Sequence, residues 1–186
     1  MKDNSCKKVI ENRKSTRFFL QKEVSYSDIL DILSCAALAP SAKNKQPWRF
    51  YILNNDEKEK VVETFHKKLL KDNSEETGLE TVRILKESNK VVIVFMDNKP
   101  IEAQKLRLTP YFLSVGASIE NALLRATELG IQSLWIYDVV AIEDELKQMF
   151  YPEGMFMSAL CFGYENGNHM RAKKKDLKDL ILNKEE

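Results

Sequence analysis

Along Ile29, Ile32, Leu33, Ala36 and Ala37 the apolar residues recur at the spacing of one face of an α-helix. Ser25 is placed to cap that helix, Asp28 to close a capping box and Val24 to staple onto Ile29. Pro40 excludes helical backbone at the residue before it, so the helix is predicted to run to about Ala39. Arg49–Leu53 reads as a short strand. Val61, Phe65 and Leu69, spaced by four, predict an amphipathic helix over Asp56–Lys71 with a charged outer face. The polar stretch Lys71–Thr77 is expected at the surface.

Val91–Phe95 is an unbroken apolar run, the pattern of a strand covered on both faces and therefore central in a sheet. Thr109-Pro110 sets a capping residue before a proline at the first helical position. Phe112, Val115, Ile119, Ala122 and Ala126 then carry a helix as far as Gly130. Ser133–Tyr137 and Met157–Phe162 read as strands, with a short helix over Ile142–Phe150 between them. No repeat or linker interrupts the pattern. One domain over residues 1–186 is the expectation, long enough to bury a single core.

Composition narrows the function classes. The chain of 186 residues has 6 glycines and 5 prolines, a low share that favours helices over a turn-rich sandwich. Lys and Arg total 29 against 28 Asp and Glu, so a net charge of +1 offers polyanions no global field. Nucleic-acid binding through Arg13–Arg17 and Lys173–Lys175 is disfavoured on that ground and for want of a stacking motif. The run Val91–Met96 falls far short of the ~18 residues that cross a bilayer, and no apolar signal region opens the chain, so no membrane partner and a cytoplasmic location are expected. Cys6, Cys35 and Cys161 are odd in number and form no C-x-x-C pair, which argues for a reducing compartment and against a metal centre or thiol chemistry.

The usual nucleotide, metal and nucleophile motifs are absent, and His66 and His169 sit in polar surroundings that assign them no role. Two segments carry chemistry. Arg13-Lys14-Ser15-Thr16-Arg17 gathers three cations and two hydroxyls, a set able to grip a phosphate or to form a solvated connection. Ala39-Pro40-Ser41-Ala42-Lys43-Asn44-Lys45-Gln46-Pro47-Trp48 is a proline-restricted loop whose Ser41, Asn44 and Gln46 suit the edge of a heterocycle or a purely structural turn.

Together these segments resemble the nitroreductase family of flavoproteins, with its R-[RH]-S-x-R and A-P-S-x-x-N-x-Q-P-W signatures. Gly116–Ile131 is similar to the family's G-A-x-x-Q-N-x-L-L-A-A-x-x-L-G-L helix, and Ser133–Ile136 and Ala159–Tyr164 to its later strands. The resemblance implies an α+β fold, a mixed sheet flanked by helices, in a homodimer with FMN at the subunit interface. By position, Arg13, Lys14, Ser15 and Arg17 would hold the FMN phosphate and ribityl arm, with Arg171 helping. Pro40, Ser41 and Asn44 would line the ring from the opposite subunit. The backbone of Leu134, Trp135, Ile136 and Tyr137 would lie near its reactive edge.

The activity implied is ping-pong transfer from NADH or NADPH through flavin N5 to a small-molecule acceptor, a nitroaromatic, a quinone or a relative of these. No catalytic side chain is demanded. An FMN-binding protein that stores or senses flavin is the alternative. Lys14, Glu120 and Asp138 depart from the family's usual arginine or histidine, glutamine and glycine. A carboxylate at Asp138 would oppose an anionic reduced flavin. Asp97–Thr109, the equivalent of the substrate lid, is short. Tyr111 and Phe112 are candidates either to stack on an aromatic acceptor or to fill the core.

Overall fold

The structure, a computed structural model, describes residues 5–73, 75–97, 107–167 and 172–182. Its centre is a five-stranded sheet built around β5, Gly154–Glu165. β3, Lys90–Asp97, pairs with β5 from Lys90↔Phe162 to Asp97↔Gly154. β4, Gln132–Ile136, pairs with β5 from Gln132↔Gly163 to Ile136↔Ala159. Both ladders use the same stretch of β5, so β3 and β4 lie on its opposite edges. β2, Trp48–Ile52, pairs with β3, and β1, Phe19–Leu20, pairs with the last two residues of β5. These ladders are all antiparallel, and the parallel part of the mixed sheet is the isolated bridge Ser15↔Ser133.

β3 is central and buried because its side chains alternate between two cores. Val91, Ile93 and Phe95 enter one, together with α3 (Asn55–Lys71), α4 (Glu75–Glu87) and α6 (Glu143–Phe150). Val92, Val94 and Met96 enter the other, with α2 (Tyr26–Ala37) and α5 (Thr109–Glu128). Each such aliphatic side chain taken out of water contributes about 1.5–3 kcal/mol. The result is the α+β arrangement expected, one sheet between helical layers.

The local signals act much as read. Ser25 Oγ accepts the Asp28 N–H at 3.0 Å, and Val24 and Ile29 are both buried behind it. A complete reciprocal capping box stands instead at α3, between Asn54 and Glu57. α5 begins one residue earlier than its proline suggested: the Leu108 carbonyl accepts the N–H groups of Tyr111 and Phe112, so Leu108 rather than Thr109 is the cap. Gly130, at φ +73°, closes α5, and the Ile131 N–H returns to the Ala126 carbonyl at 2.8 Å.

Two helices were not anticipated. α1, Ser5–Asn12, packs on α5, and α4 starts inside the stretch expected to be a polar surface loop. Gly78 permits α4 to lie close on α3, since a Cβ there would run into Leu69. Leu113, Leu38, Tyr26 and Leu30 stand exposed on or beside the α2–α5 layer, as do Leu177, Leu180, Ile181 and Leu182 in the C-terminal segment.

Candidate functional site

The basic arm and β4 are distant in sequence, and the backbone joins them. Thr16 N–H donates to the Ser133 carbonyl at 3.0 Å, beside the Ser15↔Ser133 bridge. Each cation of the arm meets a carboxylate. Arg13 Nε lies 3.4 Å from Glu120 on α5, Lys14 Nζ 2.7 Å from Glu165 at the end of β5, and Arg17 Nε 3.9 Å from Glu80 on α4. Lys14 and Glu165 are both mostly buried, so their pair is screened less than that of Arg17, whose side chain is 52% exposed. Ser15 is exposed. Thr16 Oγ1, Ser133 Oγ and Glu165 Oε1 are buried without a hydrogen-bond partner among the described residues.

Along β4 the side chains alternate as a pleated strand requires. Leu134 and Ile136 enter the core beneath α3 and α4, whereas Trp135 is 44% exposed on the face toward Gly116 of α5. A 3-10 turn, Asp138–Ile142, follows directly. Asp138 is not free there, because Thr81 Oγ1 donates to its Oδ2 at 2.8 Å.

The loop after α2 is set by a different means. Lys43, Asn44 and Gln46 all have positive φ, 52°, 54° and 45°, where L-residues are strained. Hydroxyls hold them there. Ser41 Oγ accepts the Gln46 N–H at 3.0 Å, and Ser114 Oγ on α5 accepts the Ala42 N–H at 3.0 Å. Gln46 Nε2 donates to Asn44 Oδ1 at 3.2 Å. Asp97 N–H donates to the Pro47 carbonyl, and Arg49 joins Asp97 to the loop's backbone at Gln46 and Trp48. Pro40 and Asn44 are exposed, Ser41 is partly buried and Trp48 is core.

The structure therefore joins the arm that carries Arg13, Lys14, Ser15 and Arg17 to β4 at Ser133, next to Leu134–Ile136, and fixes the loop of Pro40, Ser41 and Asn44 separately against α5 through Ser114. Arg171 lies outside the described residues, as does most of the short segment Asp97–Thr109. The carboxylate partners Glu165 and Glu80 were not singled out in the sequence, where nothing local marks them. Of the two aromatic candidates, Tyr111 is buried in the core and Phe112 is exposed.

Elsewhere, a groove of about 610 Å³ is lined by Gln21, Asn55, Lys58, Glu63, Ser88 and Asn89 among others, and holds none of these residues. Its Lys58 donates to the carbonyls of Ser88 and Lys86 at the end of α4, and burial lowers its pKa. That is the work of a helix cap. Burial pushes the Cys161 thiol up to about 12, away from the thiolate that reacts. Among the described residues no cluster suits a metal ion, and no helix is long and apolar enough to cross a membrane.

A sequence profile of the Nitroreductase family matches residues 10–164. A provisionally named NADH dehydrogenase/NAD(P)H nitroreductase of Archaeoglobus fulgidus is 33% identical over 147 residues, covering 77% of this chain and 73% of that protein. The nitrobenzene nitroreductase of Ectopseudomonas oleovorans is 42% identical over a shorter stretch of 53 residues, 28% of this chain and 23% of its own. Among solved structures, a nitroreductase with bound FMN from Desulfitobacterium hafniense DCB-2 superposes with a TM-score of 0.80 at 22% identity, covering 98% of this chain and 99% of that one.

Proposed function

The chain belongs to the nitroreductase family of oxidoreductases, and on that premise we propose that it is an FMN-dependent NAD(P)H oxidoreductase acting as a homodimer on a nitroaromatic, quinone or related small acceptor. The observation that carries this reading is the junction of the arm with β4, which sets a basic, hydroxyl-bearing segment beside an edge strand of the sheet.

The residues present fit the cofactor. Arg13 Nε lies 3.4 Å from Glu120 Oε1, and its side chain is a planar guanidinium fork of the kind that suits a phosphate. Ser15 and the half-exposed Arg17 add a hydroxyl and a second guanidinium. Lys14 serves the arm by anchoring it to Glu165, and its ammonium is the least available of the three cations. The unpartnered Thr16 and Ser133 hydroxyls at the same junction each donate and accept, as the hydroxyls of a ribityl chain require. Arg171 completes the set on the resemblance alone.

When bound, FMN supplies two-electron chemistry, taking a hydride at N5 from NADH or NADPH and returning electrons to the acceptor in ping-pong turnover. The chain's own residues bind and orient. Leu134, Trp135 and Ile136 would present backbone along the reactive edge, with Leu134 and Ile136 held in the core. Pro40, Ser41 and Asn44 would line the ring of the partner subunit's flavin, from a loop whose shape Ser41 and Ser114 fix. The exposed apolar residues of α2, α5 and the C-terminal segment, above all Leu38, Leu113, Leu177 and Leu182, supply surface for that dimer.

The test is the visible spectrum of the purified protein, FMN identified after denaturation, sedimentation, and NADH or NADPH oxidation with and without a nitroaromatic. Bound FMN with turnover in a dimer is expected. A flavin-free protein that takes up no FMN overturns the reading, and FMN without turnover leaves storage or sensing in its place.

A further inference from the structure

Where β4 gives way to Tyr137, a groove of about 290 Å³ opens between Phe112, Tyr137, Glu143, Met155, Phe156 and Met157. Phe112 and Tyr137 are exposed, and Phe156 is buried with its ring 6.1 Å from that of Tyr137, tilted by 34°. The walls are thus aromatic faces and polarisable thioethers, which favour a flat ring. A cavity of ~150 Å³ already accepts benzene, so one substituted ring fits here.

Its charge is one-sided. Among the described residues Glu143 is the single ionisable carboxylate in the lining, and no basic side chain lines the groove with it. Glu143 opens α6, and its Oε1 accepts the Phe156 N–H at 3.3 Å, so the carboxylate is tied to the groove's wall rather than left to swing into solvent. An anionic substituent entering the groove meets a fixed like charge, whereas a neutral or cationic ring does not.

We propose that this groove is the acceptor subsite and that Glu143 is a specificity-determining residue that turns away aromatic acceptors carrying a negative charge. The inference rests on the proposed function, since Tyr137 directly follows the strand assigned to the flavin's reactive edge. It selects neutral and cationic nitroaromatics or quinones over their carboxylated counterparts.

The test uses FMN-loaded protein and two readouts. Calorimetry gives the dissociation constants of benzamidine and benzoate, and steady-state kinetics gives kcat/KM for nitrobenzene and 4-nitrobenzoate. In the native protein benzamidine is expected to bind more tightly than benzoate and nitrobenzene to be the better substrate. Glu143→Gln keeps an oxygen for the Phe156 N–H and removes the charge. It should shift both ratios toward the anion by about threefold to tenfold, the effect of one charge a few ångströms away in a partly wet groove. Tyr137→Leu should weaken both rings and leave the ratios as they were.

Ratios unchanged in Glu143→Gln, in a protein whose FMN content and reduction by NADH are normal, overturn the groove and spare the proposed function. A protein that takes up no FMN overturns both. Native ring affinity in Tyr137→Leu overturns the seating of the ring.

Discussion

In the basic arm each cation has a carboxylate beside it, Arg13 with Glu120, Lys14 with Glu165 and Arg17 with Glu80. In the loop after Pro40 charge counts for little and the backbone is bent instead, with Lys43, Asn44 and Gln46 at positive φ and hydroxyls of Ser41 and Ser114 holding them. The arm is an electrostatic device: its cations lie against carboxylates of α5, β5 and α4, with which an anion must compete. The loop is a conformational device whose strain is offset by hydrogen bonds made in advance. The proposed site would therefore combine a part that responds to charge with a part that responds to shape, and substitutions should sort cleanly between them.

The largest effect expected is on the arm. Arg13→Ala removes a guanidinium fork from the arm and should weaken FMN binding by about 1.5–3 kcal/mol, roughly tenfold to a hundredfold, as seen by flavin fluorescence titration. Excess FMN should restore its rate of reduction by NADH in stopped flow. Asn44→Ala should behave in the opposite way, slow even when saturated, because an amide proposed to face the ring would act on the reaction rather than on occupancy. FMN held by Arg13→Ala as tightly as by the native chain would return the arm to a solvated connection.

Lys14 sharpens the contrast within the arm. Its ammonium lies 2.7 Å from Glu165, a carboxylate whose other oxygen is already buried without a partner. Lys14→Ala should therefore cost the fold about 1–3 kcal/mol, read as a lower midpoint in denaturant for the flavin-free protein. Its effect on FMN affinity should be smaller than that of Arg13→Ala. The reverse order would show that Lys14, and not Arg13, is the principal phosphate ligand.

Those pairings also explain what was and was not legible in the chain. Helices α2, α3 and α5 and strand β3 announce themselves through spacing, because one apolar face or one unbroken run decides their burial. α4 hides behind the polar residues at its start and behind Gly78, whose purpose is visible only once Leu69 lies against it. The arm and the loop were readable as local clusters. Their partners were not: Glu80, Glu165, Ser114 and Thr81 come from separate elements, and a contact made by folding leaves no local spacing to find. Glu120 and Asp138 drew notice as departures, and the structure gives each a bond, to Arg13 and to Thr81.

On the loop, Ser114→Ala tests whether shape is held from α5. The hydroxyl accepts the Ala42 N–H and donates to the Pro110 carbonyl at 2.7 Å, so its loss strands a backbone donor at the loop's first turn. A loss of about 1 kcal/mol in stability is expected, together with slower reduction in FMN-saturated protein. A change in salt dependence would instead place the loop on the electrostatic side of the comparison, and should not occur.

The smallest effect, and the most direct probe of stored strain, is expected of Lys43→Gly. Lys43 is exposed and sits at φ 52°, ψ 27°, inside a 3-10 turn where an L-residue pays in sterics and glycine does not. Left-handed backbone costs a side-chain-bearing residue ~1–2 kcal/mol, and glycine's extra freedom in the unfolded chain costs ~0.5–1 kcal/mol. The difference leaves a net stabilisation of about 0.5 kcal/mol, a small upward move of the denaturant midpoint with an unchanged slope. FMN affinity should not move, because the arm proposed to grip the phosphate is untouched. Its reduction rate should hold as well, since glycine keeps the native turn. Destabilisation by Lys43→Gly would mean that the lysine's side chain, and not its backbone, is what the loop needs there, and the division between a charged arm and a shaped loop would fail at that residue.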